Sequence, residues 1–391
     1  MIAFTNANVI SGGKILANHN VLVDDGKIVC ITIANPNKAA TVIDVDGQYL
    51  SAGLIDLHIH GGMGHDFMDG SKEAFEGIAA HHSQHGITSM LATTLAGDDT
   101  ETFAFLDAYE RYANIVTSCR FLGVHLEGPY FSLNQCGAQD PKFLRNPSPD
   151  HYKRLLSYGN IRRVSAAPEL DGGLKLGKYL EEHNIIASMA HTDADYEQTL
   201  QAIARGYSVV THLYSGMTGV HRRKAYRFGG LVEAALLLDT LTTEIIADNR
   251  HLPECLLKLI YKCKGKDGII LTSDAMRGAG LPNGQITKLG SLALGQDVII
   301  EDDVAKLLDR SAFAGSVASG DRLIRTMVQI AGLPLVEAIG MMTINPARLL
   351  KLSDRIGDVQ EGMEADLIVF DEDINVSHVM VAGQNLPIKN T

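Results

Sequence analysis

Short apolar runs recur along the whole chain, and what separates them changes twice. In the first fifty residues they are separated by tight turns. Val21-Leu22-Val23 meets Asp24-Asp25-Gly26-Lys27 and resumes as Ile28-Val29-Cys30-Ile31, which predicts a hairpin with Asp-Gly in its turn. Val42-Ile43-Asp44-Val45, followed by Asp46-Gly47, repeats the pattern. The end of the chain reads the same way: residues 365–371 and 378–382 are strand candidates, and Gly383 closes the second. The expectation is that residues 1–50 and 349–391 pair into one small β-sandwich domain built from both chain ends.

Between them, apolar runs alternate with helical segments. Runs ending near residue 59 and at 86–93, 121–127, 185–191, 208–212, 243–248 and 268–274 read as strands. Residues 252–262 and 318–331 read as helices. Buried strands that alternate with helices imply a parallel sheet. Residues 51–348 are long enough for an α/β fold of the (β/α)8 TIM-like barrel type, for which ~250 residues is typical. No short-period repeat and no low-complexity linker interrupts this segment.

The runs end in a pattern of their own. They finish in His58 and His60, Glu127, His191, His212 and Asp274. On a strand, alternate side chains share a side, so His58 and His60 project together. In a (β/α)8 barrel the C-terminal strand ends converge on one face, where active sites lie. Taken singly, each residue has an ordinary reading: His191 with Thr192, or Asp274, can cap a helix. Together, imidazoles and two carboxylates at matching positions make a ligand set suited to a divalent metal, Zn²⁺ or Fe²⁺.

Composition narrows the partners. The 391 residues carry a formal charge of −12, which argues against a nucleic-acid-binding surface. No apolar run is long enough to span a bilayer, and the N-terminus lacks the basic region and apolar core of a signal peptide. Cys30, Cys119, Cys136, Cys255 and Cys263 are scattered and form no Cys-x-x-Cys pair. A disulfide framework is therefore not expected, and the chain reads as cytoplasmic with reduced thiols.

Ser51-Ala52-Gly53-Leu54-Ile55-Asp56-Leu57-His58-Ile59-His60-Gly61 resembles the first-strand motif of the amidohydrolase superfamily, with Ala-Gly in place of the usual Pro-Gly. His125-Leu126-Glu127-Gly128-Pro129-Tyr130 resembles one branch, the N-acetylglucosamine-6-phosphate deacetylases. Thr211-His212-Leu213-Tyr214, Ile246-Ala247-Asp248 with His251, Ser273-Asp274-Ala275-Met276, Phe313-Ala314-Gly315-Ser316 and Asn345-Pro346-Ala347-Arg348 agree with that branch. So does Gly362-Met363-Glu364-Ala365-Asp366-Leu367 near the chain end.

The resemblance implies that Glu127, His191 and His212 hold a principal metal, that His58 and His60 hold a second with Glu127 bridging, and that Asp274 lies at the metal as general base and acid. It places Ala138, Gln139, Ser215, Gly216, Asp248, His251, Phe313, Ala314 and Gly315 on the substrate. It also implies a homodimer in which an arginine from the neighbouring subunit meets a phosphate. Arg223 falls at that arginine's position, and Arg227 lies among extra residues after it. A run of His221, Arg222, Arg223, Lys224 and Arg227 on an acidic chain suits an anion, because guanidinium forks match phosphate oxygens. The chain departs from the branch at Ser215-Gly216, at the missing Glu-Pro after Arg223, and at Gln139, where histidine is common. The expected reaction is hydrolysis of the acetamide of N-acetylglucosamine 6-phosphate. The galactosamine epimer, or a non-phosphorylated substrate of the D-aminoacylase or dihydroorotase kind, is the alternative.

Overall fold

The structure is a computed structural model and describes residues 1–34, 39 and 41–388. Both chain ends contribute to one eight-stranded mixed sheet. Ile2–Ser11, Lys14–Asp24, Lys27–Thr32, Thr41–Asp44 and Tyr49–Ala52 join Leu367–Phe370, Val376–Val381 and Gln384–Leu386. The Asp-Gly hairpin forms as the sequence predicts. Asp25 and Gly26 have φ of 45° and 71°, the left-handed pair that matches strand twist. Tyr49–Ala52 joins the two ends, lying parallel to the first strand and antiparallel to Leu367–Phe370.

Gly53 follows immediately and turns the chain into the second unit. A Cβ there would sit 2.1 Å from Thr88 Oγ1, so only glycine allows this approach. Eight parallel strands then run in chain order, each bonded to the next: Leu54–Ile59, Ile87–Thr93, Arg120–Glu127, Ile161–Ala166, Ile186–Met189, Tyr207–Val210, Thr242–Ile245 and Ile269–Leu271. The sheet curls until its ends meet. The Asp274 N–H donates to the His58 carbonyl at 2.9 Å and the His60 N–H to the Ala275 carbonyl at 2.8 Å. The closing seam of the barrel therefore carries three of the residues singled out in the sequence. At the opposite end, Ala347 of helix Ile344–Leu349 packs with Ile55, Leu57, Leu91 and Ile270 as a plug.

Helices cover the barrel because their buried positions repeat at helical spacing. Lys72–Ser83 buries Ala74, Phe75, Ile78, Ala79 and His82, and Ser71 caps it by accepting the Ala74 N–H. Tyr196–Ile203 begins in a capping box formed by Asp195 and Gln198. The segment expected as one helix at 318–331 is a helix over Gly320–Arg325 that continues as a π-turn over Thr326–Ile330. Two insertions leave the barrel: a hairpin of His221–Arg223 and Tyr226–Phe228, and an antiparallel sheet of Ile286–Leu289, Gln296–Glu301 and Val304–Leu307. Among the described residues no helix is long and apolar enough to cross a membrane.

Candidate metal centre and active site

Glu127 is the last residue of the third barrel strand, and four imidazoles point at its carboxylate. His212 Nε2 lies 3.2 Å, His58 Nε2 3.4 Å and His191 Nε2 3.5 Å from Oε1, while His60 Nε2 lies 3.5 Å from Oε2. Asp274 Oδ1 approaches from the seam, 3.1 Å from His60 Nε2 and 3.4 Å from His58 Nε2. All six side chains are buried. His191, His212 and Asp274 stand just past their strands with φ of 45°, 32° and 47°. A non-glycine residue in that region is strained by about 1–3 kcal/mol, and such strain clusters at functional sites.

The donor set fits divalent ions. Among the described residues, His58, His60 and Glu127 form one group of potential ligands, and Glu127, His191 and His212 a second, each with its atoms within 4.8 Å of one another. His58 Nε2 and His60 Nε2 are 3.2 Å apart, and two such lone pairs repel unless a proton or a cation lies between them. Without metal the charges balance through protons. Burial opposes a charge on His58, yet the Asp274 and Glu127 carboxylates hold its pKa well above the usual imidazole value. Burial likewise works against ionised Glu127 and Asp274, and the surrounding histidines outweigh it, keeping both carboxyls below their ordinary range. A metal entering the site displaces the histidine protons and takes over their role.

Above this cluster is a cavity of about 190 Å³. Gly137, Ala138, Ser215, Gly216, His251, Phe313 and Gly315 line it with His60, Glu127, His191, His212 and Asp274, as do Leu95, Leu289 and Ala312. Nothing in the sequence marked those last three, because they are ordinary apolar or small residues on loops. Three other cavities are larger, two of about 490 and 340 Å³ between the barrel and the end sheet and one of about 370 Å³ beside Asn249 and Arg325, but no histidine lines any of them, so the chemistry selects the smaller one.

The remaining expected site residues take varied positions. Gln139 lines the cavity, yet its side chain is buried and its amide donates to Glu127 Oε2 at 2.8 Å. Asp248 stands behind His251: its Oδ2 lies 2.9 Å from His251 Nδ1, and its Oδ1 accepts the Arg250 and His251 backbone N–H groups. The ring of His251 in turn packs against Phe313, with centroids 4.8 Å apart. Ala314 is fully buried in the cluster behind the cavity with Met276 and Leu289. Arg223 and Arg227 are on the exposed hairpin and do not line this chain's cavity; Arg223 pairs with Asp195 at 3.2 Å and lies over the Phe228 ring. Arg163, Glu244 and His125, which the sequence did not mark as site residues, surround His58 inside the barrel.

Comparison with known proteins follows the same lines. The profile of the amidohydrolase family matches residues 49–386. An N-acetylglucosamine-6-phosphate deacetylase of Lysinibacillus sphaericus is 32% identical over 386 residues, covering 97% of this chain and 96% of its own. An N-acetylgalactosamine-6-phosphate deacetylase of Escherichia coli O157:H7 is 31% identical, covering 94% and 95%. An N-acetyl-D-glucosamine-6-phosphate deacetylase from Mycobacterium smegmatis, solved as an aspartate-to-alanine mutant in complex with N-acetyl-D-glucosamine 6-phosphate, superposes with a TM-score of 0.90. It is 29% identical and covers 98% of both chains.

Proposed function

This chain belongs to the amidohydrolase family, and from that premise we propose that it cleaves the acetamide of N-acetylglucosamine 6-phosphate to glucosamine 6-phosphate and acetate. The observation that carries the reading is the pair of buried His/Glu groups sharing Glu127, with Asp274 against His58 and His60 and an open cavity beside them. Glu127, His191 and His212 would hold one ion and His58, His60 and Glu127 a second; zinc or iron suits these donors. Such an ion supplies a water acidic enough to lose a proton near neutral pH and polarises the acetyl carbonyl.

The chain's own residues do the rest. Asp274 is ionised at neutral pH, because His58 and His60 offset the cost of its burial. It takes a proton from the attacking water as the oxygen bonds to the acetyl carbon. When the carbon–nitrogen bond breaks, Asp274 returns that proton to the departing sugar nitrogen. Asp248 fixes the ring of His251, so that His251 presents a defined nitrogen to the sugar. Leu95, Leu289 and Phe313 give the cavity apolar walls that restrict water around the reacting amide.

The phosphate belongs to the arginines of the hairpin, supplied by a second copy of the chain in a homodimer. Support comes from the exposure of Arg223 and Arg227 beside exposed Tyr226 and Phe228, which together make a charged and aromatic surface. A cytoplasmic setting suits five cysteines that are all unpaired in the fold. The galactosamine epimer is the second reading, favoured by the near-equal identity to deacetylases of the two sugars. Comparing kcat/KM on the two 6-phosphates decides between them. Preference for N-acetylglucosamine 6-phosphate supports the proposal, and preference for the galactosamine epimer replaces it.

A further inference from the structure

An ion pair sealed inside the barrel has no part in the chemistry above. Arg163 of the fourth strand and Glu244 of the seventh are 0% and 1% exposed, and their side chains pair. Arg163 also donates to Ser188 Oγ and Thr211 Oγ1, both at 2.9 Å. Burying two charges is costly, and an apolar pair of similar size often serves stability as well or better. Fold stability is therefore a weak reason for this pair.

Its other contact supplies a stronger one. Glu244 Oε1 lies 3.0 Å from His58 Nδ1. The same oxygen accepts the His212 backbone N–H at 3.4 Å, a contact with the main chain and not with the ring. The four imidazoles differ at the nitrogen turned away from the centre. His58 Nδ1 meets a carboxylate and His191 Nδ1 lies 2.8 Å from the Gln135 carbonyl, while His60 Nδ1 and His212 Nδ1 are buried and have no hydrogen-bond partner among the described residues. His125 packs edge-on against His58 with ring centroids 4.6 Å apart, so the His58 ring is held from the side as well.

We propose that Glu244 and Arg163 are positioning residues for the ion held by His58 and His60. Glu244 accepts the His58 Nδ1–H and so fixes the tautomer whose Nε2 faces the metal. Arg163 holds the Glu244 carboxylate in place from behind and balances its charge. The inference rests on the two-ion reading of the site. Partners of this kind typically change metal affinity 10- to 100-fold when removed.

The test is calorimetric titration of zinc into the metal-free full chain, with bound zinc counted by elemental analysis. Two double variants avoid a lone buried charge: Arg163→Met with Glu244→Leu, and Arg163→Met with Glu244→Gln. The expected result is a first equivalent bound as in the wild type and a second weakened roughly 10- to 100-fold in the Met/Leu variant. The Met/Gln variant keeps an acceptor for Nδ1–H and recovers part of that loss. Two equivalents at wild-type affinity in both variants overturn the proposal. A wild type that binds only one equivalent overturns the two-ion reading itself, which is a different result. Should the variants not fold, nitrogen NMR of histidine-labelled, zinc-loaded wild type decides. A hydrogen-bonded proton on His58 Nδ1 supports the proposal, and a bare Nδ1 overturns it.

Discussion

The Gln139 side-chain amide bridges two neighbours, donating to Glu127 Oε2 at 2.8 Å and accepting the Ala96 N–H at 3.0 Å. The sequence places Gln139 on the substrate, where related chains commonly have histidine. In the fold its amide nitrogen is occupied by the carboxylate shared between the two metal-ligand groups, and its oxygen by the Ala96 N–H. Gln139→Leu removes a donor from Glu127 and strands the Ala96 N–H, a loss of about 1–3 kcal/mol for a buried unsatisfied group. The expected outcome is a metal affinity reduced roughly 10- to 100-fold, read by zinc titration. An unchanged affinity would mean that the amide does not help to hold Glu127.

Asp274→Asn tests the proton carrier. Asparagine tolerates the left-handed backbone at this position, so the fold should survive. The amide cannot take up the water proton. Turnover is expected to fall by at least ~10²- to 10⁴-fold, the usual contribution of a positioned acid–base group, while zinc still binds. The check is kcat measured on protein whose zinc content has been counted.

Arg223→Ala tests the phosphate anchor. A charge-assisted hydrogen bond contributes about 1.5–3 kcal/mol, so KM for the phosphorylated sugar is expected to rise roughly 10- to 150-fold with kcat largely kept. Hydrolysis of unphosphorylated N-acetylglucosamine should not change. Arg227→Ala, measured alongside, tells whether the neighbouring strand of the hairpin shares the role. Equal losses on both sugars would point instead to the Arg223–Asp195 pair as a structural contact.

Acid sensitivity has a traceable source in His82. Burial, helped by neighbouring His81, pushes its pKa well below the usual value, although a hydrogen bond to the Gly61 carbonyl works the other way. The unfolded imidazole titrates near ~6.5. Below that pH the unfolded state binds a proton that the folded state refuses, so stability falls as pH falls. The slope from this one group is at most about 1.4 kcal/mol per pH unit. Urea unfolding at pH 7, 6 and 5 should show a shallower decline in His82→Gln than in wild type, and parallel curves would contradict the assignment.

Most of the barrel was readable because a buried strand ending in a polar residue is a local signal. The Glu127, His191, His212 and Asp274 strands all announced themselves this way. The fourth strand, Ile161–Ala166, did not, because Arg162 and Arg163 interrupt its apolar run. Arg163 is nonetheless buried, and its compensation comes from Glu244, 81 residues away. Pairing across that distance leaves no mark in a single sequence. The same limit hid the roles of Gln139 and Asp248, whose side chains serve Glu127 and His251. The basic run after Gly219 read as an anion-binding segment. Its folding into a hairpin depends on left-handed backbone at Lys224 and Ala225, φ of 47° and 71°, which those residue types do not signal.

The most direct test of the central claim is acetate release from N-acetylglucosamine 6-phosphate by the purified protein before chelation, after chelation, and after zinc is restored. The account predicts activity that disappears with the metal and returns with it, and a much weaker reaction on unphosphorylated N-acetylglucosamine. Acetate release that persists in the metal-free protein, or none from the phosphorylated sugar with zinc bound, would contradict it.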